Sequence, residues 1–202
     1  MARRVGNNIG GFTLIELMVS MTIGMIVIAS VAGTFRAQTR QNKAEEEISQ
    51  MHQNVRGAID LITRDLMQAG YKKAGGPAVT GVTYQSTPTT LIISADTNED
   101  NAIDTTGTSS LEYITYAYDS TNKQITRKLG GGSANLVADN VTEFTFTYNN
   151  SDGGAATSSA DIRKVVITIT CQTQNADPSF SSNGGKRTYQ LSAEVTPPNL
   201  AL

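Results

Sequence analysis

The sequence predicts an α+β protein: one long N-terminal helix, apolar in its first half and amphipathic in its second, packed on a C-terminal antiparallel β-sheet head. Three observations predict it. Residues 12–35 form an apolar run whose single charge is Glu16. Apolar residues then recur at spacings of three and four as far as Ala69, with no proline between residues 12 and 70. Beyond Pro77 apolar and polar residues begin to alternate, which is the period of a strand.

The first element is long enough to cross a bilayer, because about 20 apolar residues in a helix cover the hydrocarbon core. Arg3 and Arg4 precede it, and cationic residues are retained on the cytoplasmic side, so the N-terminus is expected inside and the C-terminal domain outside. A conventional secretory signal is the alternative, cut near Ala32 in Ala29-Ser30-Val31-Ala32-Gly33, a loose match to the small-residue cleavage pattern. Glu16 argues against it. A carboxylate inside hydrocarbon is costly and marks a function with a partner, for which a discarded signal has no use.

The second element continues the same helix. Ile48, Met51, Val55, Ile59, Ile62, Leu66 and Ala69 fall on one face, while Arg36, Arg40, Lys43 and Glu45 to Glu47 supply the polar surface. Gly24, Gly33 and Gly57 are its weak points, each costing about 1 kcal/mol relative to alanine. A continuous helix from Phe12 to Ala69 would be about 90 Å long. It should stop at Gly70, with Gly75-Gly76-Pro77 barring continuation. Arg64 and Asp65 read as surface ion-pair material, and His52 as a solvated or packed side chain on the helix.

The third element is a set of short strands: 79–84, 91–95, 111–118, 124–129, 143–148, 164–171 and 188–195. Turn-rich stretches separate them, at Gly130 to Ser133, Asn149 to Gly154 and Ser181 to Gly185. Such spacing implies one antiparallel sheet covering the end of the helix.

Composition excludes several functions. With a formal charge of −2 there is no general attraction to phosphate backbones, and Lys123, Arg127 and Lys128 are too few to make a basic patch, so no nucleic acid is expected as a partner. Cys171 is the only cysteine, so no internal disulfide forms. It lies in an alternating strand and reads as a buried or edge thiol. No spacing pairs a nucleophile with a base, and no catalysis is expected.

One loop has the spacing of a cation site. Asp96, Asn98, Asp100 and Asp104 stand at relative positions 1, 3, 5 and 9, with Ile103 at position 8, as in an EF-hand-like loop that wraps oxygen ligands around Ca2+. Asn101 occupies the usual glycine position, and Gly107 stands where a glutamate closes the loop; Glu112 is the candidate to supply that carboxylate. The same residues also read as a solvated acidic loop between two strands. No cofactor is required, and Ca2+ is the one candidate.

Gly11-Phe12-Thr13-Leu14-Ile15-Glu16, behind a short basic leader and ahead of an uninterrupted apolar run, resembles the prepilin cleavage motif of type IV pilins and type II secretion pseudopilins. The resemblance implies a type IV pilin-like fold in four parts: a cleaved leader at 1–11, a transmembrane and filament-core helix at 12–35, an amphipathic spine helix at 36–70 and a β-rich head at 71–202. It implies that a membrane prepilin peptidase cuts between Gly11 and Phe12 on the cytoplasmic side and N-methylates Phe12. It also implies that Glu16 pairs with the charged terminus of an adjoining subunit, which two opposite charges in apolar surroundings would favour. The partners so implied are the peptidase, the inner membrane before assembly, and other major and minor pilins through the N-terminal helix. The subunit then passes from the inner membrane to an extracellular filament.

Within pilins the chain resembles the PilW family of minor pilins, through Arg64 to Tyr71, Leu111 to Tyr116 and Glu194 to Leu200. It departs from major pilins in lacking a cysteine pair, which favours a minor subunit. A pseudopilin of type II secretion and a tip module for adhesion or DNA uptake stand as alternatives.

Overall fold

The computed structural model describes residues 11–87, 89–108 and 110–200. The expected leader and its Arg3 and Arg4 lie outside the described residues, apart from Gly11. Helix α1 runs without a break over Leu14–Gln68, and none of its three glycines interrupts it. The chain divides into two compact units, Met1–Glu45 and Glu46–Leu202.

In the first unit the described residues are helix α1 and the three residues before it, and none from 11 to 45 is buried. Leu14, Ile15, Ile28 and Phe35 are each at least two-thirds exposed. Hydroxyl groups on this stretch bond back to carbonyls one turn earlier: Ser20 to Glu16, Thr22 to Met18, Ser30 to Ile26 and Thr34 to Ser30, at 2.7–3.1 Å. The hydroxyl groups within the apolar run thus find their partners on the helix itself.

Among the described residues, the second unit is built from the rest of α1 and eight antiparallel strands. Strands β1 (Val82–Thr83), β2 (Thr90–Ser94), β3 (Tyr113–Asp119), β4 (Gln124–Leu129) and β5 (Ala134–Ala138) form a five-stranded sheet in chain order. Strands β6 (Val141–Asn149), β7 (Lys164–Gln172) and β8 (Thr188–Val195) form a second sheet of three. The single sheet expected from the sequence is therefore two. The break falls at Asp139-Asn140, where Asn140 adopts φ 53° and β6 pairs with β7 instead of with its predecessor β5. Strand β5 was not predicted at all, and β1 is shorter than the expected 79–84.

Both sheets and the helix share one core. Met51, Val55, Ala58, Ile59, Ile62, Leu66 and Ala69 pack with Leu91, Ile93, Ile114 and Ile125 of the larger sheet, and with Phe144, Phe146, Val165, Ile167 and Ile169 of the smaller. A register shift between Val141 and Glu143 lets Val141 and Phe144, three residues apart, both face inward. The helix ends as expected at Gly70, whose φ of 76° is reached readily only by glycine. Its N–H donates to the Ser94 carbonyl at 2.9 Å. A Cβ there would stand 2.8 Å from Leu200 Cδ2, so a side chain at this position would also push the Leu200 side chain aside.

Asp65 corrects the surface reading given to it. It is 5% exposed, and its Oδ2 accepts hydrogen bonds from Arg127 Nε at 2.7 Å and Tyr116 Oη at 2.5 Å, while Oδ1 accepts from Arg127 Nη2 at 3.2 Å. Burial, reinforced by the Asp65 carboxylate, pushes the Tyr116 hydroxyl far above its ordinary pKa. Arg64, next door, is exposed. Arg127 is thereby tied to the helix and is no free surface cation.

Candidate functional site

The first site is the entry to α1. Gly11, Phe12 and Thr13 precede the helix, and Phe12 is 90% exposed. Thr13 and Glu16 form a capping box. The Thr13 backbone N–H and hydroxyl donate to Glu16 Oε2 at 2.9 and 2.8 Å, and the Glu16 N–H donates to Thr13 Oγ1 at 3.3 Å. The carboxylate therefore sits on the positive end of its own helix, where unpaired N–H groups gather. Its partner Thr13 is the residue that follows Phe12. Sequence reasoning singled out Gly11, Phe12 and Glu16 but missed Thr13, although Thr-x-x-Glu ahead of an apolar run is a legible capping signature. The helix that follows is long and apolar enough to cross a membrane.

The second site is the loop between β2 and β3. Its backbone is fixed at both ends, by the Asp96 N–H donating to the Tyr71 carbonyl at 2.8 Å and by Ala95 N–H donating to the Glu112 carbonyl at 3.0 Å. Asp96 is 1% exposed, and its Oδ2 accepts the Asn101 N–H at 3.1 Å. Asn101 has φ 68°, the left-handed turn that position 6 of such a loop demands, so asparagine does here what glycine usually does. Asn98 Oδ1 accepts the Asp100 N–H at 2.9 Å, and Asp100 Oδ1 the Ala102 N–H at 2.8 Å.

Glu112, the expected closing ligand, has a structural task in the loop. It is buried, and its two oxygens accept the backbone N–H groups of Asn98 and Asp104 at 3.1 and 2.9 Å, drawing the loop around one carboxylate. Asp104 Oδ1 accepts from the N–H groups of Gly107 and Thr106, which hold its carboxyl below the usual range. A side chain at 107 would collide with Asp104 Oδ2, so glycine stands at this position because Asp104 folds over it. Among the described residues no three Asp, Glu, His or Cys side chains gather closely enough to hold a metal by themselves.

The remaining candidates are packing groups. Cys171 is fully buried, with Sγ 3.9 Å from the Asp139 carbonyl, and burial pushes its thiol up to about 12, far from a reactive thiolate at neutral pH. His52 stacks on Tyr189 with ring centroids 4.1 Å apart.

Compared with known proteins, residues 45–196 match the family model described as prepilin peptidase-dependent protein B. Residues 6–32 match the prokaryotic N-terminal methylation motif. No curated protein matches the chain. Among solved structures, a type IV-like pilin from Thermus thermophilus aligns over 74% of this chain and 97% of its own at 14% identity, with a TM-score of 0.47.

Proposed function

We infer, because the chain belongs to the prepilin peptidase-dependent protein B family and so is a type IV pilin-like protein, that it is a minor pilin that primes or assembles a type IV pilus. Prepilin peptidase cuts after Gly11 and methylates Phe12. The helix then anchors the subunit in the inner membrane, N-terminus in the cytoplasm and head in the periplasm, until it is drawn into an extracellular filament. The finer likeness to PilW minor pilins, and the lack of a cysteine pair, support a minor over a major subunit.

The observation that carries the reading is the contrast along α1: no residue from 11 to 45 is buried, and the surface from 12 to 35 is apolar, interrupted by one carboxylate near its start. So much exposed apolar area must be covered, and lipid or equivalent helices of other subunits are the covers of matching chemistry. Glu16 then trades its own capping N–H groups for the charged terminus of a neighbour. We read the role as structural and not catalytic, given the inert Cys171 and the stacked His52.

The test is Glu16→Ala in the native cells. Processing of the precursor should continue, while the amount recovered in sheared filaments falls at least about tenfold, the equivalent of about 1.4 kcal/mol. Unchanged incorporation, or a block in processing itself, would contradict the assembly role.

A further inference from the structure

We propose that the 96–104 loop binds Ca2+, with Asp96 Oδ1 as the anchoring ligand and side-chain oxygens of Asn98, Asp100 and Asp104 around it. The acidic spacing alone would not carry this. What carries it is an orphan: Asp96 is 1% exposed, and its Oδ1 has no hydrogen-bond partner among the described residues. Its sister oxygen takes the Asn101 N–H from across the loop, so the carboxyl group faces the loop interior. An oxygen of a buried carboxylate left unpaired is costly, and the group that would relieve it is a cation or a donor not supplied by the chain.

The surrounding oxygens are available. Asn98 Oδ1 and Asp100 Oδ1 each accept one backbone N–H and keep a second lone pair. Asp104 gives its Oδ1 to the 106–107 backbone and keeps Oδ2. The donor set holds no sulfur or imidazole, which disfavours Zn2+, and the irregular loop suits Ca2+ better than the strict octahedron of Mg2+. No three of these carboxylates are gathered in the structure, so part of the binding free energy goes into drawing the loop together, and the affinity belongs to the weak class of extracellular modules, with a Kd of about 10⁻⁴–10⁻³ M. That range suits a domain facing the cell exterior.

The experiment uses the full chain, purified in detergent and stripped with EDTA, followed by thermal unfolding in CaCl2, MgCl2 or NaCl at matched ionic strength. At about 10 mM CaCl2 the head transition should rise by about 3–10 °C over the NaCl control, with little response to MgCl2. Asp96→Asn should abolish the rise. Should that buried substitution prevent folding, the exposed Asp100→Ala decides, and it should at least halve the rise. A Ca2+ response no larger than that to Mg2+, or one of full size in Asp100→Ala, overturns the proposal.

Discussion

The two halves of α1 share one unbroken helix and differ in everything that surrounds it. Residues 14–45 bury nothing, whereas residues 51–69 bury a stripe of aliphatic side chains and a carboxylate against two sheets. The first half is more apolar, yet the second makes the domain. Hydrophobicity alone therefore does not locate a core. The periodicity of the apolar residues does, because a stripe needs a surface to lie on while an all-round apolar cylinder needs a solvent or a bundle of its own kind.

The comparison breaks most sharply at Asp65. Arg127→Ala leaves that carboxylate buried with only Tyr116, and should destabilise the head by about 3–5 kcal/mol in denaturant unfolding; a loss under about 1 kcal/mol would mean that Asp65 is in effect a surface group. Ile62→Ala empties fully buried space and should cost about 2–5 kcal/mol, while Ile26→Ala, on the half that buries nothing, should move the head's stability by less than about 0.5 kcal/mol. Equal effects at the two positions would end the distinction. Gly70→Ala should cost about 1–2 kcal/mol, since it combines a positive φ with a clash against Leu200.

The smallest effect is that of pH. Asp119 is held below the ordinary carboxylate range, chiefly by the Asn122 backbone N–H, and Asp177 chiefly by the Ser179 hydroxyl. A depressed carboxylate stabilises the fold above its unfolded pKa, and that contribution is lost as pH falls through the lower folded value. Acid unfolding of the head should therefore steepen below the usual carboxylate range, and Asp119→Asn should make that decline shallower while leaving the N-terminal half unaffected. A pH profile identical to that of the parent would show that the Asp119 turn contributes nothing.

Much of this was legible in the residues. Val55, Ile59, Ile62 and Leu66 announced the buried stripe, and strands β4 and β8 lie where alternation placed them. Asp65 was misread although it stands three residues after Ile62, inside the stripe, because its charge outweighed its position. Strand β5 escaped notice since Ala134 to Ala138 are mostly exposed, and what makes them a strand is pairing with β4 across the Gly130 to Ser133 turn, a tertiary cause. The split into two sheets also depends on long-range packing. At the candidate sites, Glu16 was recognised but its capping partner Thr13 was not. The acidic loop was seen, yet the role of Glu112 as the post it winds around emerges only from backbone N–H geometry.

The central claim is that the exposed half of α1 is an assembly element released by cleavage. Intact mass and N-terminal peptide mass spectrometry of protein extracted from the membranes of its native cells tests it most directly. The account predicts a chain that begins at N-methylated Phe12. A chain that retains Met1, or one that begins near Gly33, would contradict it.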